Sequence, residues 1–286
     1  MTPNGVVVVD KPAGMTSHDV VDRVRRIFDT RKVGHAGTLD PDATGVLVLG
    51  LGTATRLLSF AQDGAKRYLA EAAFGTTTTT QDASGEVLEE RPVDIDEGSV
   101  KQAAAAFVGE IEQIPPMVSA VKVGGERLYM KARRGETIER EPRSVTIHSL
   151  EVTGFQPPDR ATFDISCSAG TYVRTLIHDI GERLGCGGHM TKLRRIAASG
   201  FTESDATPLD LLGREELRSP LEIVRSLPQM KLDDAAAALV ADGRPVDVGD
   251  HAFDQGQKVA LVHDGELLAI YERKGSTLIA HKVLPR

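Results

Sequence analysis

The chain has 286 residues, 41% of them hydrophobic and 26% charged, which suits a globular protein with one large domain and a smaller one. No apolar run approaches the ~18 residues of a membrane helix, and the opening Met-Thr-Pro-Asn is no basic leader, so a cytoplasmic location is expected. The net charge of −7 would disfavour a polyanionic partner if it were spread evenly, but Asp82 to Glu112, with nine acidic and two basic residues, carries all of it. Lys11–His35, Lys122–Arg143 and Tyr172–Arg195 each carry a net +3, and local patches of this kind set the attraction to phosphate. Such runs are ordinarily solvated surface, so neighbouring motifs must decide their meaning. Cys167 and Cys186 are too few for a metal site and are expected as reduced thiols.

In chain order, the β-branched run Gly5–Val9 predicts a buried strand, and Asp10–Met15 a turn rich in Pro and Gly. Thr16 and Asp19 have capping-box spacing, and Val20, Val21, Val24, Ile27 and Phe28 recur at helical intervals. Arg23, Arg25 and Arg26 fall mostly on the other faces, giving an amphipathic helix with a basic outer side. Arg31–Gly45 lacks apolar periodicity and reads as a loop, followed by a buried strand over Val46–Leu49. Lys66–Phe74, Val145–Val152 and Ala161–Ser168 alternate as half-buried strands do, while Val100–Phe107 and Thr171–Leu184 read as helices, the second stopped by Gly185.

Strands and helices mix without βαβ regularity, so the fold class is α+β with a mixed or antiparallel central sheet flanked by helices. Pro220 and Pro228 mark Ser219–Met230 as a linker. Beyond it come a short helix near Leu232 and strands at Lys258–Val262, Leu267–Tyr271 and Thr277–His281, a small β-rich C-terminal domain. The expected division is 1–228 and 229–286.

The chemistry centres on Asp40, in Gly34-His35-Ala36-Gly37-Thr38-Leu39-Asp40-Pro41. Alone, an Asp before Pro in a Gly-rich loop is a turn residue bonded to nearby N–H groups. A loop pinned between strands and stiffened by proline can equally hold a carboxylate rigidly toward a substrate.

This run resembles the catalytic motif of the TruB-type pseudouridine synthases, in which the Asp after Thr-Leu is the catalytic residue. Further blocks resemble the same family in the same order: Val8–Ser17, Lys66-Arg67-Tyr68, Ser119–Lys122 with Leu128-Tyr129, Ser168–Thr175 and Gly188–Arg195. The likeness spans roughly residues 5–225.

The resemblance implies a pseudouridine synthase fold and isomerisation of uridine to pseudouridine without cofactor or metal. The N1–C1′ bond breaks, the uracil rotates and C5 bonds to C1′. An ionised Asp40 would stabilise positive charge at C1′, and an ionised carboxylate in a desolvated pocket needs a nearby cation. The resemblance assigns that part to Arg174, stacking on the flipped uracil to Tyr68, pocket positions to Tyr172 and Leu193, and the displaced T-loop bases to His35. Lys11 and Pro12 are read as loop-shaping.

Lys122, Arg127, Lys131, Arg133 and Arg134 are expected to meet RNA phosphates, as are Arg194 and Arg195 beside the pocket. The C-terminal region resembles a PUA-type RNA-binding domain, although Met230–Arg286 holds seven basic and nine acidic residues, net −2. The expected partner is the T-arm of tRNA, modified at the uridine of position 55 by a monomer without guide RNA or membrane attachment. A tRNA-folding chaperone activity alongside is compatible with that reading. A guide-RNA-dependent relative is disfavoured because the chain lacks long Lys-rich tails. A non-catalytic RNA-binding protein is disfavoured because Asp40, Arg174 and Tyr68 are all retained.

Overall fold

The computed structural model describes residues 3–117, the backbone of 122–123 and 126–127, residue 134, and residues 138–249 and 252–284. The strands in chain order are β1 (Gly5–Lys11), β2 (Val33–His35), β3 (Thr44–Leu51), β4 (Lys66–Phe74), β5 (Thr76–Thr78), β6 (Val87–Glu90) and β7 (Gly109–Gln113). After the short pair β8 (Lys122–Val123) and β9 (Glu126–Arg127) come β10 (Arg143–Gln156), β11 (Arg160–Cys167), β12 (Gly188–Ala198), β13 (Phe201–Thr202) and β14 (Thr207–Pro208). The helices here are α1 (Ser17–Ile27), α2 (Leu58–Gln62), α3 (Glu97–Ala105) and α4 (Val173–Leu184).

The large sheet runs β14-β1-β3-β12-β4-β11-β10-β7, with β2 added to β3 and β13 to β12. Two contacts, β1 with β14 and β3 with β12, are parallel and the others antiparallel, so the sheet is mixed. β1 and β3 carry unbroken apolar runs because both of their faces are covered. Val7, Val9, Leu47 and Leu49 pack against Val20, Val21, Val24 and Phe28 of the α1 region. Val6, Val8, Val46 and Val48 pack the other way, against Leu57, Leu58 and Ala61. Toward the far edge, Phe74, Phe163 and Ile165 meet Val100 and Ala103 of α3 and Leu176, Ile177 and Ile180 of α4.

The Thr16–Asp19 capping box forms, and α4 ends at Gly185, whose φ of +84° is the left-handed conformation a glycine accepts without strain. The segment expected to be wholly loop contains β2, because His35 and Val33 find ladder partners in Leu49 and Leu51. The expected linker is not a solvated one. Pro220–Val224 forms a 3₁₀ turn whose Ile223 and Val224 are buried.

A second, five-stranded sheet comprises β15 (Gln229–Lys231), β16 (Val246–Asp247), β17 (Lys258–His263), β18 (Glu266–Lys274) and β19 (Thr277–Val283), with α5 (Asp234–Ala241) against it. It has its own core around Val240, Leu261, Tyr271 and Leu278. Its other side, through Ala260, Leu267, Ile270 and Leu284, joins Leu57, Ile223 and Val224 in one continuous apolar cluster. Among the described residues no helix is long and apolar enough to cross a membrane.

Candidate active site

The loop between β2 and β3 is held from three sides. From α1, the buried Ser17 hydroxyl accepts the Leu39 N–H at 2.9 Å and donates to the Leu39 carbonyl at 3.1 Å. From β1, the buried Lys11 ammonium donates to the carbonyls of Pro12 and Pro41 at 2.8 Å and of Met15 at 2.5 Å. This is the loop-shaping part expected of Lys11, and burial pushes its pKa down to about 8 against the opposing pull of Asp42 and Asp40. From β12, Arg195 donates to the carbonyls of Val46 at 2.7 Å, Gly37 at 3.3 Å and Thr38 at 3.4 Å. Gly45 is needed where these strands close up: a Cβ there would stand 2.2 Å from the Arg195 carbonyl oxygen, with φ already at +101°.

Asp40 projects from this loop into a cavity of about 360 Å³, whose lining also includes Tyr68, Tyr172, Arg174 and Leu193. Four site residues expected from three other stretches of sequence therefore converge with Asp40 on one space, large enough for a nucleoside. The Asp40 side chain is 37% exposed, but to a cleft walled by protein rather than to open water. Burial pushes its carboxyl above the ordinary carboxylate range, Arg174 pulls it down, and Asp82 raises it again.

Arg174 lies in the first turn of α4, with only 5% of its side chain exposed. Its Nη2 is 3.6 Å from Asp40 Oδ1 and its Nη1 donates to Asp82 Oδ2 at 3.2 Å. Asp82 Oδ1 accepts from the Thr80 hydroxyl at 2.6 Å and from the Ser84 hydroxyl and N–H at 2.6 and 3.0 Å. Burial opposes the Asp82 charge, yet these bonds and Arg174 outweigh it and hold the carboxyl below its usual range. The loop bearing Asp82 is seated on β12: Ala83 N–H donates to the Met190 carbonyl and Met190 N–H to the Gln81 carbonyl.

Tyr68, on β4, is buried, and burial raises its phenol above the ordinary value, so it is neutral. Tyr172 immediately precedes α4, and the amide of the buried Gln113 holds its backbone, accepting from Tyr172 N–H at 3.0 Å and donating to Tyr172 C=O at 3.3 Å.

His35 lies on β2, half-buried, and is not in the cavity lining; its carbonyl accepts from Gln62. Arg194 is engaged by Asp10 at 3.0 Å and Glu203 at 2.5 Å. Arg195 is 1% exposed with its donors turned inward, so it braces the loop in place of the phosphate contact expected of it. Arg134 is exposed, whereas Lys131 and Arg133 lie outside the described residues, as do the side chains of Lys122 and Arg127. Asp82, Gln113, Ser17 and Lys66 escaped the sequence reading as site residues. Asp82 sits among Thr80 and Ser84, and that hydroxyl–Asp–hydroxyl spacing was its one signal.

The whole architecture superposes on the structure of a Cbf5–Nop10–Gar1 complex with a TM-score of 0.77 and 30% identity, covering 99% of this chain and 85% of that one. It is the pseudouridine synthase fold. Residues 25–173 match the model of the TruB family pseudouridylate synthase N-terminal domain, and residues 174–221 that of the tRNA pseudouridylate synthase B C-terminal domain. The tRNA pseudouridine synthase B of Thermobifida fusca is 48% identical over 96% of both chains, and that of Streptococcus pneumoniae serotype 2 is 44% identical over 98% of this chain and 99% of its own. The chain belongs to the TruB family of pseudouridylate synthases. It is an isomerase, and the second sheet lies beyond both matched models.

Proposed function

We propose that this synthase converts the T-loop uridine at position 55 of tRNA to pseudouridine, acting on a nucleotide flipped out of its stack. The observation that carries the reading is the convergence of Asp40, Arg174, Tyr68, Tyr172 and Leu193 on one nucleoside-sized cavity. The relatives bearing the name tRNA pseudouridine synthase B support tRNA as the substrate.

In this reading Asp40 faces C1′ of the uridine and stabilises the positive charge that grows there as the C1′–N1 bond breaks. Arg174 keeps Asp40 ionised and fixes its direction, which the rise in the Asp40 pKa makes necessary. The uracil stacks on Tyr68, between the walls formed by Tyr172 and Leu193, and base–aromatic stacking of about 1–3 kcal/mol offsets part of the few kcal/mol that flipping costs. The base rotates in place, C5 bonds to C1′, and the C5 proton leaves. The residues require no cofactor or metal for these steps.

His35, on the rim, meets the bases displaced by flipping, and the basic segment around Lys122–Arg134 meets backbone phosphates. The second sheet serves as a PUA-like contact to the tRNA, and the enzyme acts as a monomer without a guide RNA.

The decisive experiment uses an unmodified tRNA transcript and the Asp40→Asn variant. Pseudouridine at position 55 disappears while tRNA affinity stays within about a few-fold, because the substitution removes a charge and not a contact surface. Product at a near-normal rate from Asp40→Asn would sink the reading.

A further inference from the structure

We infer that Lys66 and Arg195, which share the buried sheet face with Tyr68, stabilise the negative charge that the uracil carries once its bond to the ribose has broken. The inference rests on the reading of Tyr68 as the surface on which the uracil stacks.

The geometry begins with strand register. Lys66 and Tyr68 are two apart on β4 and share its buried face. Arg195 lies directly opposite Tyr68 on the adjacent β12, so its side chain shares that face. A Cβ built on Gly37 would stand 3.6 Å from Lys66 Cε and 3.7 Å from Arg195 Nη1, so the two cationic side chains meet beside the Asp40 loop, and both line with Tyr68 the cavity into which Asp40 projects. A base stacked on Tyr68 therefore lies beside a pair of neighbouring cations.

Both cations are buried, and neither is neutralised. Lys66 donates to the carbonyls of Gln62 and Gly64, each at 2.8 Å, and Arg195 donates to those of Val46, Gly37 and Thr38. Carbonyls satisfy the donors but cancel no net charge. Among the described residues no carboxylate stands within ion-pair distance of either. Burial and the repulsion of Arg195 push Lys66 down to about 8, which shows what holding them together costs. Buried like charges are expensive unless something of opposite sign arrives.

The reaction supplies it. When the C1′–N1 bond breaks, its electron pair leaves with the base, so uracil bears one negative charge and the ribose carbon the matching positive one. A pair of the delocalised anion at C5 forms the bond to C1′, the C5 hydrogen departs as a proton, and N1 takes one up, so the base ends neutral. Asp40, Arg174 and Asp82 sum to −1 on the ribose side, while Lys66 and Arg195 sum to +2 on the base side. Charge separation runs down that field, and fixed charges in a dry site act on it strongly.

The test pairs Lys66→Met with Lys66→Gln, which keeps an amide donor for the loop carbonyls, and uses Lys66→Arg as the charge-retaining control. Single-turnover rates are measured on transcripts with uridine or 5-fluorouridine at position 55, as loss of the parent nucleoside, alongside tRNA affinity and Tm. Fluorine withdraws electron density and makes the base a better leaving group, so the anion needs less help. The neutral variants are expected to lose about ten- to a hundred-fold in rate on uridine, with affinity and Tm near wild type. Lys66→Arg recovers most of that loss, and the defect on 5-fluorouridine shrinks by about three-fold or more. Equal defects on both substrates, or wild-type rates in both neutral variants, would overturn the inference. Inactive wild-type enzyme on uridine at position 55 would instead overturn the substrate assignment beneath it.

Discussion

Asp82 and Arg174 meet at 3.2 Å, and the other arm of the same guanidinium lies 3.6 Å from Asp40. One arginine thus serves two carboxylates of different duty. Asp82 accepts from Thr80 and Ser84 and stays ionised, which anchors one end of the fork, while Asp40 remains open to the cavity. Asp82→Ala frees that anchor, and displacement of a guiding cation by about 1 Å can cost about a hundred-fold in rate. The expected outcome is a single-turnover rate lower by about ten- to a hundred-fold with tRNA affinity little changed. An unaltered rate constant would remove Asp82 from the positioning of Arg174.

The acid limb of activity follows from the direction of the Asp40 shift. Its carboxyl is raised by burial, so the ionised form that faces C1′ is lost as pH falls through a value above the ordinary carboxylate pKa of about 3.9. Asp82 contributes to that rise. Asp82→Asn, which deletes the neighbouring negative charge, is expected to move the limb to lower pH even as it slows the reaction. A single-turnover pH–rate profile checks both points, and a limb moving to higher pH in Asp82→Asn contradicts the charge account.

Ser17 fixes the backbone of Leu39, one residue before Asp40, through both the donor and the acceptor of one hydroxyl. Ser17→Ala leaves the buried Leu39 N–H without that partner, at a cost of about 1–3 kcal/mol. The expected Tm falls by several degrees, and kcat falls with it because the loop carrying Asp40 loses its tie to α1. Thermal melts and turnover together test this, and a variant with wild-type Tm would show that another acceptor takes the Leu39 N–H.

The difference between what was and was not legible in the sequence is one of range. The Thr16–Asp19 box, the stop at Gly185 and the alternation of Lys66–Phe74 are local, and the structure keeps all three. The convergence of Asp40, Tyr68, Tyr172, Arg174 and Leu193 was legible only through a family resemblance. Asp82 was not legible as a partner because Arg174 lies 92 residues away and no local pattern couples them. β12 was hidden because Lys192, Arg194 and Arg195 break its alternation. Arg195 was expected at the surface because arginine is seldom buried. Its burial follows from three backbone carbonyls that the loop and β3 turn toward it, an arrangement that exists only once the sheet has formed.

Ser219–Met230 was read as a linker to an RNA-binding domain, which would leave the second sheet an appendage of the first. The packing argues otherwise. Ile270, Leu267, Ala260 and Leu284 complete a cluster with Leu57, Ile223 and Val224, and Lys282 donates to the Arg56 carbonyl across the same junction at 2.5 Å. Cutting after residue 228 uncovers Ile223, Val224 and Leu57, the last of which precedes α2, whose Gln62 reaches the cavity. A truncated chain is expected to melt well below the full one and to lose solubility as well as affinity. Ile270→Ala isolates the packing effect without removing any cation: loss of this fully buried side chain costs about 2–5 kcal/mol. Melts of Ile270→Ala followed by a probe in the first sheet decide the matter. A drop in Tm seen there shows that the two sheets unfold as one unit, whereas an unchanged melt of the first sheet would restore the appendage.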